Sequence, residues 1–261
     1  TGFCFVNIKE KYMRYNELTF QGRNAVLEAF RSGKTIDKLF ILDGCQDGPI
    51  KSITREARKH DAIINYVAKE RLDQMSETGK HQGVIAVSAA YEYAEVSDIL
   101  ENAERKGEPP FIIILDGIED PHNLGAIIRT ANQAGAHGII IPKRRAVGLT
   151  PTVAKTSAGA INYTPVAKVT NISNTIKELK EKGMWFVCAD MGGTTMYDLN
   201  LTGPIGLVIG NEGDGVSKLV KENCDMTASI PMVGDIDSLN ASVATGVLAY
   251  EIVRQRLKSG K

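Results

Sequence analysis

An asparagine and an arginine, Asn123 and Arg129, lie where a predicted strand gives way to a predicted helix. The apolar run 111–115 indicates a buried strand, an Asp-Gly turn ends it, and an amphipathic helix opens near Asn123. The two side chains fall within two turns of this helix, although an offset of six residues does not align them on one stripe. An amide and a guanidinium at such a strand–helix turn suit a phosphate or a ribose. The alternative is an Asx cap followed by a surface arginine.

A glycine-rich bend supplies a carboxylate, Glu212. The apolar run 206–209 leads into the sequence Gly-Asn-Glu-Gly-Asp-Gly at 210–215. Three glycines in six residues allow positive φ and a close approach of the backbone to a ligand. Their spacing differs from the G-x-G-x-x-G motif of dinucleotide-binding folds. The alternative is a plain tight turn.

Small polar residues begin the last predicted helix. A short strand over 227–230 leads through an acidic loop to Ser238, Asn240 and Ser242. Such residues ordinarily cap a helix, because their side chains accept hydrogen bonds from its free N–H groups. Three of them are more than one cap requires. The excess makes this helix start a third candidate for a ligand site.

These three segments, in this order, resemble the three motifs of the SpoU (TrmH) family of RNA ribose 2'-O-methyltransferases: N-x5-R, then N-E-G-x-G, then S-L-N-x-S. Each motif alone is weak, whereas the ordered set is specific. The resemblance extends from about Gly22 to the last helix. It implies an α/β protein with a SPOUT catalytic domain, whose mostly parallel sheet is trefoil-knotted, preceded by a small L30-like α/β domain.

The same resemblance implies the division of the chain and its reaction. Residues 14–96 would form the RNA substrate-binding domain and 111–261 the methyltransferase domain. Between them, 97–110 would be a linker that contains a short charged helix and ends in Pro109-Pro110. The reaction would transfer the methyl group of S-adenosylmethionine to a ribose 2'-hydroxyl of RNA. The first third and the tract 141–153 most resemble family members that act on a guanosine of 23S ribosomal RNA. A tRNA ribose, a base methyltransferase of similar architecture, and a non-catalytic RNA-binding protein of this fold are the alternatives.

The resemblance also assigns residues to roles. A ribose hydroxyl is a poor nucleophile, and arginine stays protonated, so we expect a guanidinium to grip a phosphate and to stabilise the developing alkoxide. Asn123 would hold that guanidinium or the ribose, and Glu212 would orient the guanidinium or the ribose. Whether the guanidinium also acts as a base stays open. The implied catalytic residues are Asn123, Arg129, Glu212, Ser238 and Asn240. The implied cofactor-binding residues are Ala189, Gly210, Asn211, Gly213, Ile230 and Leu239.

Contacts to RNA phosphates are expected from basic residues on loops. Lys80 and His81 precede a predicted strand, a place where binding residues commonly lie. Ordinary solvated side chains are the alternative for all such residues. The candidates in the first part of the chain are Arg23, Lys34, Lys51, Arg55, Arg58, Lys59, Lys80 and His81, and the RNA contacts that we favour are Arg23, Lys80, His81, Lys143, Arg144 and Arg145.

Composition narrows the class of protein. The net charge of zero over 261 residues argues against a sequence-blind polyanion binder, but it allows local basic patches that recognise RNA. Four cysteines without C-x-x-C spacing predict no metal site and indicate reduced thiols in the cytoplasm. No apolar run approaches a membrane span, so no membrane partner is expected. Residues 1–12 have the character of a tag or an upstream extension.

Helix and strand patterns alternate along both parts of the chain. In the first part, helices are predicted over 23–32, 50–60 and 69–76, with strands over 38–42, 62–67 and 83–89. In the second, helices alternate with strands in a parallel α/β pattern, the strands lying over 111–115, 138–141, 185–189, 205–209 and 227–230. The closing helix, 242–257, is apolar on more than one face. Since two apolar faces need two partners, this helix predicts a homodimer.

Overall fold

The computed structural model describes residues 19–76 and 78–260, and the chain divides into two compact units between Glu92 and Tyr93. Residues 1–12, for which the sequence suggests a tag or extension, lie outside the described residues. Each unit has its own sheet.

The first unit is a four-stranded mixed sheet in the order β1–β4–β2–β3, with β2 and β3 parallel and the other pairs antiparallel. Its core includes Phe30 of the first helix and Leu39 of the central strand. The predicted helices and strands are present with small shifts of their ends, and β1 is an addition. The elements are β1 (Thr19–Gln21), α1 (Arg23–Arg31), β2 (Ile36–Leu42), α2 (Gly48–Lys59), β3 (Ile63–Val67), α3 (Lys69–Met75) and β4 (Val84–Ser88).

The second unit is a six-stranded sheet in the order β10–β8–β9–β5–β6–β7, and all of its strand pairs are parallel. The five predicted strands are present, and β7 is an addition. The strands are β5 (Phe111–Asp116), β6 (Gly138–Pro142), β7 (Val166–Val169), β8 (Trp185–Thr195), β9 (Ile205–Gly210) and β10 (Met226–Ser229). The helices are α4 (Val96–Lys106), α5 (Pro121–Gln133), α6 (Pro151–Thr156), α7 (Ile172–Glu181), α8 (Lys218–Asn223) and α9 (Ala241–Lys258).

The stretch 97–110, expected to be a linker, is mostly the helix α4 of the second unit. A capping box formed by Glu95 and Asp98 starts this helix. Ile99 is fully buried in the core of the second unit, and a Cβ on Gly138 would come within 2.5 Å of it. The assignment of 97–110 to a linker is therefore wrong. The helix has a charged surface toward solvent and one apolar stripe, and this stripe packs on the parallel sheet.

The loops that follow neighbouring strands lie at one edge of the second sheet, because parallel strands end on the same side. β5 lies between β9 and β6 in the sheet, so the loops that follow these three strands are neighbours. Helix α5 packs closely on α6, since a Cβ on Gly125 would lie 1.8 Å from Thr156 Oγ1. None of the helices in the described part is long and apolar enough to cross a membrane. The knot implied by the resemblance stays a prediction.

Candidate functional site

Three polar side chains from three separate segments meet at this edge of the second sheet. Asn123 Nδ2 donates to Glu212 Oε1 at 2.6 Å, and Asn240 Nδ2 donates to the same oxygen at 2.8 Å. Asn240 Nδ2 also donates to Asn123 Oδ1 at 3.0 Å. Asn123 is buried, so its amide needs partners inside the protein. One carboxylate oxygen thus holds both amides, and hydrogen bonds to a charged acceptor are the stronger kind.

Local sequence places two of these side chains at helix starts. Asp120 caps α5 by accepting a hydrogen bond from His122 N at 2.9 Å, which sets Asn123 in the first turn. Asn240 caps α9, where its Oδ1 accepts from Ser242 N at 2.9 Å. The Asn240 oxygen therefore accepts a hydrogen bond from the start of α9, while its nitrogen donates to Asn123 and Glu212.

The glycine-rich bend that carries Glu212 closes on itself. Asn211 Oδ1 accepts from Gly213 N at 2.9 Å, and Gly215 N donates to Asn211 O at 3.1 Å. A Cβ on Gly210 would lie 1.9 Å from the carbonyl carbon of Gly215, which leaves no room for a side chain. At Gly213 the nearest atom to such a Cβ is Asn211 Oδ1 at 3.5 Å, an ordinary contact. The steric demand for glycine is therefore strong at Gly210 and weak at Gly213.

A cavity of about 310 Å³ lies beside the bend. Its size falls at the lower end of the range of small-molecule sites. All six residues expected to bind the cofactor line it: Ala189, Gly210, Asn211, Gly213, Ile230 and Leu239. Of the expected catalytic residues, Glu212 and Ser238 line it as well.

The lining of this cavity is apolar and acidic. Asp190, Asp214 and Asp237 line it together with Glu212, and none of the lysines or arginines in the described part of the chain does. A hydrogen bond from Lys221, at 2.8 Å, holds the pKa of Asp190 below its usual value. The other three carboxylates have no ion-pair partner in the described part of the chain. Such a lining favours a ligand that carries positive charge.

Arg129 does not join the polar cluster. Its side chain is exposed on α5, and it makes no hydrogen bond or ion pair with any residue in the described ranges. His122, seven positions earlier, is exposed on the same face. The structure therefore does not show Asn123 or Glu212 orienting Arg129, because the amide and the carboxylate bind each other and Asn240. The alternative, contact of these two side chains with the ribose, stays a prediction.

The residues of the first unit that were expected to contact RNA have different environments. Lys80 is exposed, as a phosphate ligand should be. Arg23 forms an ion pair with Asp47 and donates from Nε to the backbone oxygen of Gln82 at 3.2 Å. His81 is buried: its Nδ1 accepts from Gly83 N at 3.0 Å, and its Nε2 lies 2.9 Å from Asp73 Oδ1.

The expected role of His81 is therefore corrected. Because Nδ1 accepts from a backbone N–H, the ring proton lies on Nε2 and is donated to Asp73. Both ring nitrogens hold the loop before β4, and neither is available to RNA.

The basic loop 143–145 follows β6 in the second unit. Arg144 and Arg145 are exposed, whereas Lys143 is half-buried. The loop lies against the start of the β5–α5 connection, since Val147 N donates to Ile118 O at 2.9 Å. The two arginines are thus placed on the loop next to the one that leads to Asn123.

The second unit and the first match two separate family profiles. Residues 110–250 match the profile described as the SpoU rRNA Methylase family. The chain belongs to this SpoU family. Residues 21–94 match the profile described as RNA 2'-O ribose methyltransferase substrate binding.

Curated relatives of this SpoU family member share much of its sequence. A Bacillus subtilis protein named for the TrmH family of tRNA/rRNA methyltransferases is 51% identical over 242 residues, which cover 92% of this chain and 96% of the relative. A Staphylococcus saprophyticus protein named for the same family is 47% identical over 241 residues, with 92% and 96% covered.

Solved structures of SpoU proteins have the same fold. The methyltransferase AviRb from Streptomyces viridochromogenes, in complex with AdoMet, is 25% identical with a TM-score of 0.58, and the match covers 94% of this chain and 93% of that one. A TrmH/SpoU tRNA modifying enzyme from A. aeolicus is 28% identical with a TM-score of 0.54, covering 62% and 86%. The protein therefore has the SPOUT fold and is an S-adenosylmethionine-dependent RNA methyltransferase.

The lining of the 310 Å³ cavity fits that cofactor. S-adenosylmethionine carries positive charge on its sulfonium and its ammonium. The cavity offers apolar walls and three carboxylates that form no ion pair with the described residues. Asp190 and Asp237 were not predicted as site residues from the sequence. Each is the direct neighbour of a residue that was predicted, Ala189 and Ser238 respectively. Within the described ranges, no group of three or more His, Cys, Asp or Glu side chains is placed to hold a metal ion.

Proposed function

We propose that this protein methylates a ribose 2'-hydroxyl of RNA, with a guanosine of 23S ribosomal RNA as the expected substrate. The observation that carries the proposal is the cluster of Asn123, Glu212 and Asn240 at the rim of the acidic cavity. Each member comes from a different one of the three motifs. The names of the relatives, which mention both tRNA and rRNA, support a tRNA ribose as the second candidate.

The polar cluster would position the ribose. Glu212 Oε1 accepts from both asparagine amides, whereas its Oε2 accepts no hydrogen bond from the described residues. That free oxygen is suited to accept a hydrogen bond from a ribose hydroxyl and to fix the direction of the nucleophilic oxygen. S-adenosylmethionine supplies the electrophilic methyl group. Alignment of the hydroxyl with it is the main catalytic demand, and positioning alone contributes several kcal/mol.

Arg129 would act on the charge that develops at the attacking oxygen. Its guanidinium is exposed and unpaired within the described ranges, so it is available to a phosphate of the RNA. It remains protonated and would stabilise the alkoxide electrostatically. The exposed arginines Arg144 and Arg145 on the neighbouring loop would bind further phosphates, as would Lys80 in the first unit.

A homodimer would complete the site. Arg129 is exposed on α5 and forms no hydrogen bond with the cluster of its own chain in the described ranges. Helix α9 exposes an apolar stripe in which Val243 is 50%, Tyr250 49% and Leu257 72% exposed. A two-fold interface that covers this stripe would be self-complementary and could bring the arginine of one subunit to the cofactor of the other. The free thiols Cys45, Cys188 and Cys224 agree with a reducing, cytoplasmic location.

The test is the identity of the methylated nucleoside. The protein is incubated with tritium-labelled S-adenosylmethionine and either 23S ribosomal RNA or tRNA, and the digested RNA is analysed by mass spectrometry. We expect 2'-O-methylguanosine from 23S RNA. A methylated base would contradict the ribose assignment, and label in tRNA alone would favour the second candidate. Cofactor binding in calorimetry without transfer to any RNA would favour a binding protein instead.

A further inference from the structure

One face of α2 in the first unit carries a row of basic side chains. Lys51, Arg55 and Arg58 are spaced by four and three residues, which places them on one stripe of the helix. All three are exposed. The other side of the same helix is apolar and buried, at Ile50, Ile53 and Ala57. The helix therefore packs into the first unit with its apolar face and exposes its basic face to solvent.

The charges on this face are poorly compensated. Lys51 and Arg58 form no ion pair with any residue in the described ranges. The carboxylate of Glu56 binds Lys59 at 3.0 Å and lies 3.9 Å from Arg55 Nε. Since the whole chain has a net charge of zero, this row is a local excess of positive charge rather than a general property of the surface.

An aromatic side chain stands beside the row. Tyr66 belongs to β3, one of the two edge strands of the first sheet, and is 55% exposed. Its ring and the three cations line one open groove of about 640 Å³, which Gln46 and Thr54 also line. A groove that combines cations with an exposed aromatic ring is typical of proteins that bind single-stranded nucleic acid, because bases stack on the ring while phosphates meet the cations.

We infer that this groove binds an unpaired segment of the RNA substrate, with a base stacked on Tyr66 and phosphates bound by Lys51, Arg55 and Arg58. The inference rests on the proposed RNA substrate. It joins three candidate phosphate contacts to an aromatic ring that the sequence patterns did not indicate, and it specifies a single strand. In a duplex the faces of the bases are covered by their neighbours, so the exposed ring selects single strands. An acidic peptide would satisfy the cations but would leave the ring without a partner.

The test measures RNA affinity separately from methyl transfer. A fluorescently labelled single-stranded RNA dodecamer of mixed sequence, and the duplex with its complement, are titrated with the full chain by anisotropy at several salt concentrations. The variant Lys51→Gln/Arg55→Gln/Arg58→Gln should bind the single strand at least ten-fold more weakly. Its salt dependence should be shallower by about 2 in the slope of log affinity against log salt, at roughly 0.7 per phosphate contact.

Matched variants separate this surface from general effects of charge. Arg31→Gln/Lys69→Gln/Arg71→Gln removes three exposed cations elsewhere in the first unit and should keep wild-type affinity and slope. Tyr66→Ala should weaken single-strand binding about ten-fold, and Tyr66→Phe should restore it, because the ring provides the stacking. Tyr163→Ala removes an aromatic side chain that is 78% exposed in the second unit and should have no effect.

Four results would overturn the inference: unchanged affinity in the α2 triple variant, equal loss in the control triple variant, no preference for the single strand, or full displacement of RNA by an acidic peptide at equal concentration. Absence of binding by the wild type would overturn it too. The proposed function is judged separately, because the α2 variants should bind S-adenosylmethionine with wild-type affinity in calorimetry. Methyl transfer by the wild type together with unchanged RNA affinity in the triple variant would reject the groove alone, whereas binding without transfer would reject the function alone.

Discussion

Asn240 donates an amide N–H to Asn123 at 3.0 Å, across 117 positions of the sequence. The bond joins the cap of the last helix to the first turn of the helix after β5, and Glu212 accepts from both side chains. Residues of the three motifs thus form one hydrogen-bonded unit. Substitution of one should therefore alter the hydrogen bonding of the other two.

Removing the Asn240 side chain should affect both stability and chemistry. Asn240→Ala loses the cap of α9 and leaves Asn123 and Glu212 with one partner each, so we expect a loss of about 1–2 kcal/mol in the free energy of unfolding. Asn240→Ser restores a capping oxygen but not the amide donor, so stability should largely return while methyl transfer stays low. Urea unfolding and tritium transfer measure the two effects. Full activity in Asn240→Ser would contradict a role for the amide.

Arg129→Ala should lower the rate of methyl transfer by about 10²–10³-fold, the usual cost of losing one electrostatic donor in a transition state. Cofactor affinity should stay within a few-fold of normal, because Arg129 is not among the residues that line the cavity. Single-turnover transfer and calorimetry give the two values. Arg144→Ala, at an exposed arginine on the neighbouring loop, is the control and should lose affinity for RNA rather than the rate of transfer.

Gly210 and Gly213 should respond differently to the same substitution. In Gly210→Ala the new Cβ would overlap the backbone of Gly215, so the bend must open, at a cost of about 1–3 kcal/mol, and cofactor affinity should fall. Gly213→Ala meets only Asn211 Oδ1 at 3.5 Å and should keep the stability of the wild type. Thermal unfolding and calorimetry test both. Equal losses in the two variants would contradict the closed geometry of the bend.

Much of the fold could be predicted from the sequence because the parallel sheet leaves long apolar runs such as β5 and β9. The missed strands, β1 and β7, are short, whereas the short charged helix expected within 97–110 is present but was assigned to a linker rather than to the second unit. β7 has four residues, too few for a pattern to emerge. Only Ile99 and Ala103 of the eleven residues of α4 are buried, and the charged residues around them resemble a linker.

The candidate site was predictable in its residues but not in its contacts. Motif order indicated that Asn123, Glu212 and Asn240 belong together, since each stands at the end of a strand or the start of a helix. Which oxygen accepts from which amide depends on where α9 begins relative to α5, and no local pattern encodes that distance. For His81 the predicted environment was wrong. Its position on a loop suggested an exposed side chain, whereas two hydrogen bonds hold the ring in a buried position.

Stability should fall at mildly acidic pH because of His137. Its side chain is fully buried, and burial lowers its pKa, although the hydrogen bond to Glu108 opposes the shift. The unfolded chain, with the ordinary pKa of 6.5, binds the proton first as the pH falls. The free energy of unfolding that the neutral, buried His137 contributes is therefore fully present above about pH 6.5. It is lost as the pH drops toward the lower pKa that His137 has in the folded protein.

His137→Asn should flatten the dependence of Tm on pH between about pH 7.5 and 5.5. The asparagine keeps an oxygen that can accept from Phe111 N, which donates to His137 Nδ1 at 3.0 Å, so the variant should still fold. The control is His122→Asn, at an exposed position on α5, which should retain the slope of the wild type. A slope that is unchanged in His137→Asn would show that the acid sensitivity has another origin.

The exposed stripe on α9 should hold two copies of the chain together. Val243, Tyr250 and Leu257 lie seven residues apart on one face, opposite Leu248 and Ile252, which are buried in their own chain. A helix that is apolar on two sides gains from burial on both. The chain has a mass of 28.3 kDa, so light scattering at micromolar concentration should give about twice that value for the wild type.

Val243→Glu/Tyr250→Glu should return the protein to a monomer, because two carboxylates would be desolvated at the interface. The helix should stay folded, since both side chains are already about half exposed in the single chain. If Arg129 acts across the two-fold axis, the monomeric variant should lose methyl transfer. Mixing this variant with an Arg129→Ala chain should not restore methyl transfer, because the two chains would not dimerise. Leu219→Glu, at a residue 57% exposed on α8, is the matched control and should leave the dimer intact. An active wild type with the mass of a single chain would reject the dimer and, with it, the supply of Arg129 from a second subunit.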